Sequence, residues 1–261
     1  MLMTRKVWME FCKEYRDVII YLPNNYKRSK KRYPVLYIND GQNAFIDEKA
    51  YAGKSWGFIE YVKKHKIDVI MVAVYCGFKP WQRETEYGPW VISEELSYQE
   101  TKQKDLIIGG LGDQYVSWLI NDLKPMIDLH YRTIKEDTAI VGSSMGGVIS
   151  AYASLAYPHV FKKCAALSTA FWFYPKEFSE LIQKQDLSAI ECFYFDIGSD
   201  EGCGQDFINE WYRETNAEIL RLLQPKIMHL HFNYVGGASH NEWAWADRLG
   251  NFMSLFYKKE G

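Results

Sequence analysis

Residues 138–156 read TAIVGSSMGGVISAYASLA, and this stretch decides the fold. A short apolar run, 138–141, leads straight into Gly142-Ser143-Ser144-Met145-Gly146-Gly147, and a helical pattern opens at Met145. A Gly-x-Ser-x-Gly core occurs often enough by chance to mean little alone. Between a strand and a helix it matches the nucleophile elbow, a tight turn that holds a serine hydroxyl above the end of a sheet. Small residues two before and two after Ser144 let strand and helix approach closely. The helix N-terminus favours negative charge developing beside the serine.

Outward from that turn, strand-like runs alternate with helical ones. Strands are expected at 17–22, 33–38, 68–75, 138–141, 164–167, 192–196 and 227–234. Helices are expected at 114–129, 145–156, 206–223 and 242–257, with Pro125 kinking or breaking the first. The run DVIMVAVY at 68–75 is almost continuously apolar, as a strand buried on both faces should be. This alternation predicts an α/β fold with a mostly parallel central sheet and helices on both faces. No internal repeat or linker divides the chain, so residues 1–261 read as one domain. Residues 77–112 lack a strong period and are rich in Trp, Tyr, Gly and charge. At that length they read as a functional loop.

Composition narrows the function. The 261 residues are 48% hydrophobic and 16% aromatic, which excludes disorder. A net charge of −2 gives no electrostatic basis for binding nucleic acid or an anionic membrane. The basic run 27–32 sits between turn signals and reads as a solvated loop. The longest apolar run, 69–76, falls far short of the roughly 20 residues a bilayer needs. The charged N-terminus carries no secretory signal pattern. Five well-separated cysteines (Cys12, Cys76, Cys164, Cys192, Cys203) form no CxxC pair, so neither zinc nor a disulfide framework is indicated, and reduced thiols in the cytoplasm are expected.

A nucleophilic serine needs a base and an orienting acid, which follow it in the order Ser, acid, His in this kind of sheet. Of the four later histidines, His159 lies in a helix-to-strand connection. His229 and His231 alternate within a strand and read as sheet-face residues. His240 follows Gly236-Gly237-Ala238-Ser239, read as a flexible loop before the last helix, and is the expected base; the plain alternative is a polar helix cap. The acid should follow CFYFD at 192–196. Asp196 reads as pointing into the sheet. Asp200 and Glu201 can both reach His240, unless either is an ordinary loop carboxylate or a helix cap. Two backbone N–H groups should bind the oxyanion: Met145, and Gln42 in the Asn39-Asp40-Gly41-Gln42-Asn43 turn. Gly109-Gly110-Leu111-Gly112 lacks the lysine and preceding strand of a phosphate loop. Trp56, Trp81, Trp90, Trp172, Trp243 and Trp245 fall near the sheet's catalytic end, mostly as packing, a few as candidate pocket walls.

Several segments together resemble one family. They are YLPNNY (21–26), YPVLYINDGQNAF (33–45), RETEYGP (83–89) and GDQYVSWLINDLKPMIDLHYRT (112–133), followed by AIVGSSMGGVISAYASLAYPHVF (139–161), DIGSDEG (196–202) and GGASHNEWAW (236–245). In this order the chain resembles the α/β-hydrolase esterase family that takes in enterochelin-type siderophore esterases, feruloyl and acetyl-xylan esterases, the esterase D group and the mycolyltransferases. The resemblance implies the α/β-hydrolase fold, Ser144 as nucleophile and His240 as base. It tips the acid to Glu201, with Asp200 as alternate, and it supports Gln42 in the oxyanion turn. The loop before the first helix departs from the thioesterase branch. The expected activity is hydrolysis of a small-molecule carboxylic ester, a siderophore ester or an acylated carbohydrate, with no metal or organic cofactor. The alternatives are an acyltransferase on the same residues and a non-catalytic binding module. Oligomeric state is not readable.

Overall fold

The computed structural model describes residues 1–93 and 106–257. Residues 94–105, inside the expected loop 77–112, lie outside the described residues. Eight strands form one sheet: β1 (Leu2–Met9), β2 (Glu14–Tyr21), β3 (Tyr33–Ile38), β4 (Ile70–Val74), β5 (Thr133–Ser143), β6 (Lys163–Leu167), β7 (Cys192–Asp200) and β8 (Leu230–Ser239). Their spatial order is β1-β2-β4-β3-β5-β6-β7-β8. From β4 to β8 all neighbours are parallel, and β2 pairs antiparallel with both β1 and β4. The expected α/β class with a mostly parallel sheet is the observed one.

Helices cover both faces because the central strands are apolar on both. In β3, Val35 and Tyr37 join one core while Leu36 and Ile38 join the other; in β4, Ile70, Val72 and Val74 alternate with Met71 and Ala73 in the same way. One face carries α2 (Gln82–Tyr87), α3 (Gly112–Trp118), α4 (Lys124–His130), α5 (Met145–Ala156), α6 (Pro175–Lys184) and α7 (Asp206–Leu223). The other carries α1 (Phe58–Lys64), α8 (Glu242–Asp247) and α9 (Leu249–Phe256), built on Trp56, Phe58, Trp245 and Phe252.

Four sequence expectations are corrected. The helix expected at 114–129 is not one α-helix: α3 gives way to a π turn, Leu119–Leu123, just before Pro125, which sits in the first turn of α4, where a missing N–H costs little. The segment expected as one helix, 242–257, is two, hinged at Arg248. The strand expected at 227–234 begins at Leu230 and runs on through Gly236 and Gly237 to Ser239, so His240 follows a strand end and not a flexible loop. The charged N-terminus, given no element from its sequence, forms the edge strand β1. An edge strand with one partner tolerates the charge that a central strand would not.

Candidate active site

The C-terminal ends of the parallel strands converge on Ser144. Glycine at 142 and 146 makes the turn possible: a Cβ on Gly142 would sit 2.2 Å from the Gly146 carbonyl oxygen. Ser144 itself adopts φ 56° and ψ −122°, a conformation that L-residues rarely take. It is pinned by its N–H donating to the Leu167 carbonyl (2.9 Å), and its own carbonyl accepts from Val148 N–H (3.0 Å). The over-determined turn leaves the hydroxyl facing the cleft.

His240, delivered by the end of β8, places Nε2 2.9 Å from Ser144 Oγ. Its Nδ1 lies 2.6 Å from Glu201 Oε2. A carboxylate only accepts, so Nδ1 carries the proton and Nε2 is free to accept from the serine hydroxyl. The imidazole is flanked by Trp245 edge-on at 5.0 Å and by Tyr212 of α7 at 5.6 Å. Burial raises the Tyr212 phenol well above its ordinary range.

Glu201 sits just past β7 with its side chain fully buried. Asp200, the other candidate, does not reach the imidazole: its Oδ1 accepts from Gly204 N–H (2.7 Å) and its Oδ2 from Ser239 Oγ–H (3.2 Å). Glu201 Oε1 accepts from Ser168 Oγ–H at 2.6 Å and from Gly198 N–H at 2.5 Å. Ser168 in turn accepts from Trp245 Nε1 (2.9 Å) and Arg248 Nη2 (3.0 Å). Arg248 pairs with Asp196 (2.7 Å), whose other oxygen accepts from Tyr194 OH (2.6 Å). Burial pushes the Asp196 carboxyl up to about 6, against Arg248, Tyr194 and the Ser168 N–H, which favour its ionised form.

On the opposite side lies the Asn39–Asn43 turn. Gly41 packs so close to β4 that a Cβ there would meet the Ala73 carbonyl carbon at 2.4 Å. The Gln42 side chain is tied to Cys76 through Nε2···Sγ (3.2 Å) and Cys76 N–H···Oε1 (3.3 Å), which leaves its backbone as its contribution to the cleft. Asp40 accepts both arms of the Arg83 guanidinium, Nε at 2.7 Å and Nη2 at 2.8 Å. Two hollows meet at Ser144. The larger, about 460 Å³, holds His240, Gln42, Arg83 and Trp245 in its wall; the smaller, about 170 Å³, holds Met145, Arg83, Trp81 and Phe173. The N–H groups of the first turn of α5, which begins at Met145, have no carbonyl partner within the helix.

The remaining expectations fall as follows. His159 and His229 are exposed, and His231 sits on β8 opposite Tyr194. Trp56 and Trp245 are buried, Trp81, Trp90 and Trp172 half-buried, and Trp243 exposed. Among the described residues, Cys12, Glu14 and Glu86 come within 4.8 Å of one another, but Arg16 and Lys79 already neutralise the two carboxylates. No described helix is long and apolar enough to cross a membrane. Sequence reading gave no role to Ser168, Arg248 or Arg83. Arg248 left one signal: it lies three residues after Trp245 and four before Phe252, a charge on an apolar stripe.

Comparison with known proteins agrees with this layout. YbbA of Bacillus subtilis (strain 168), an uncharacterized protein, is 24% identical over 94% of this chain and 93% of its own. An IroE-like serine hydrolase from Shewanella oneidensis superposes with a TM-score of 0.77 at 19% identity, over 98% of this chain and 80% of its own. The siderophore hydrolase EstA from Aspergillus nidulans gives 0.76 at 16% identity, over 98% and 93%. These structural likenesses establish the fold. The family model described as "Putative esterase" matches residues 10–253, nearly the whole chain. The protein therefore belongs to this esterase family, on an α/β-hydrolase fold, and is a carboxylic ester hydrolase.

Proposed function

We propose that the protein is a serine esterase that works through an acyl-enzyme, with Ser144 as nucleophile, His240 as general base and acid, and Glu201 as the orienting carboxylate. The observation that carries this reading is the unbroken line Ser144 Oγ, His240 Nε2, His240 Nδ1, Glu201 Oε2, at 2.9 and 2.6 Å. Ser144 Oγ attacks the ester carbonyl and its proton passes to Nε2. The Met145 and Gln42 N–H groups receive the oxyanion. The imidazolium then protonates the leaving alcohol, and water repeats the sequence to free the acid.

Of the two hollows described, the larger is the one His240 lines, so the leaving alcohol lies there, among Asn43, Lys79, Glu84, Glu242 and the exposed rings of Tyr51 and Phe78. Such walls suit a polar, hydroxyl-bearing alcohol, and this supports a siderophore ester or an acylated carbohydrate as substrate. Trp81, Arg83 and Glu84 come from the 77–112 stretch, which supports a functional role for it, although Arg83 and Glu84 sit on helix α2 and not on a loop.

Treatment with a fluorophosphonate probe, read by intact mass, tests the nucleophile. A single adduct mapping to Ser144 and absent from a folded Ser144→Ala variant is the expected result, with ester turnover lost in that variant. Turnover retained by Ser144→Ala sinks the reading.

A further inference from the structure

Behind Glu201 runs a chain of hydrogen bonds whose direction is fixed by its donors. Ser168 has one O–H and two lone pairs. Both lone pairs receive groups that can only donate, Trp245 Nε1–H and Arg248 Nη2–H. Its single proton is therefore left for Glu201 Oε1, 2.6 Å away. Oε1 also receives the Gly198 N–H, so both contacts at that oxygen are donors and no proton can rest there. Arg248 cannot reverse the chain, because its guanidinium never gives up its proton. It cannot swing away either: Asp196 grips Nη1, and the Ala244 carbonyl accepts from Nε at 3.0 Å. Ser168, Asp196 and Arg248 are all buried, and Ser168 holds φ 44°.

We propose that Ser168, oriented by Arg248 and Trp245, is a positioning residue that holds Glu201 Oε1 and so keeps its Oε2 aimed at His240 Nδ1, selecting the imidazole tautomer able to take the Ser144 proton. This inference rests on the reading of Ser144, His240 and Glu201 given above. Glu201 faces His240 across the end of β8, Arg248 and Asp196 behind, and the Tyr212 hydroxyl from α7. Of these, the Arg248 charge reaches it through Ser168. Nothing in this arrangement touches the substrate, so its loss should be felt in kcat and not in KM.

The test compares Ser168→Ala with Ser168→Gly, both without the hydroxyl. Glycine accepts the positive φ without strain, so the second variant separates a lost hydrogen bond from a strained fold. Both should melt cooperatively and lower kcat about 10- to 100-fold with KM unchanged, the scale on which supporting shells act. In a Glu201→Gln background, Ser168→Gly should cause no further fall. Wild-type kcat in both folded variants, with Glu201→Gln inactive, would overturn this proposal and leave the nucleophile assignment standing. Wild-type kcat in Glu201→Gln would remove the role of Glu201 itself, and with it this inference.

Discussion

Two arginine–aspartate pairs stand on either side of Ser144, and they are built differently. Arg248 and Asp196 lie behind the acid, 3% and 0% exposed at their side chains, with Tyr194 and Ser168 filling the remaining lone pairs. Arg83 and Asp40 lie beside the oxyanion turn, 24% and 7% exposed, and Arg83 lines both hollows. The first pair is sealed from solvent, so its charges depend wholly on one another. The second is wetted by the cleft, and its guanidinium grips Asp40 with a two-armed fork that sets geometry as much as it supplies energy. The sealed pair anchors the fold behind the acid, and the open one shapes the wall of the cleft.

Three measurements break or sharpen that contrast. Arg248→Leu strands Asp196 in the core and should cost about 3–5 kcal/mol, since a buried charge loses its partner. For a chain of this size that is a fall in Tm of roughly 10 °C by calorimetry. Arg83→Lys keeps the charge and loses the fork. It should lower kcat/KM about tenfold through misplacement of the Asp40–Gln42 turn, while Tm falls less than for Arg248→Leu because lysine keeps a charge beside Asp40. A larger loss of stability from Arg83→Lys than from Arg248→Leu would invert the comparison. The smallest effect concerns Cys76, which lines the larger hollow beside Gln42. Burial pushes its thiol up to about 12, so at pH 8 only about one molecule in ten thousand carries the reactive thiolate. Iodoacetamide should therefore label the exposed Cys203 and spare Cys76 across pH 7–9, as read by peptide mass. Rapid alkylation of Cys76 would mean the turn opens far more than its contacts imply.

What the sequence made legible follows the range of the interactions. The elbow was readable because Gly142, Ser144 and Gly146 act within a few residues, and strand and helix adjoin them. His240 stood out from the later histidines by its place after the last strand, and the structure sets its ring 2.9 Å from Ser144 Oγ. Asp200 and Glu201 are neighbours at the end of β7, and local patterning could not say which one turned inward. That was decided by contacts from Ser168 and Gly198. The support behind the acid was out of reach, because Ser168 and Arg248 meet across 80 residues of chain. Length of the final strands was misread for a related reason. Gly236 and Gly237 signal a loop, yet β8 is an edge strand with one partner, and there glycine is tolerated where pairing to β7 supplies the order.

The order of the strands also sets when the chemistry can begin. Ser144 leaves the ribosome almost a hundred residues before His240, and it joins the middle of the sheet while the base arrives on the outermost strand, β8, which is half-exposed along its length. On the proposed mechanism, the serine is an ordinary alcohol until β8 docks, and a chain still lacking that strand would be chemically silent. The same holds in reverse for the mature protein. Fraying of one edge strand withdraws the base while the other seven strands stay paired, so on the proposed mechanism the working lifetime of the enzyme is set by its rim and not by its core.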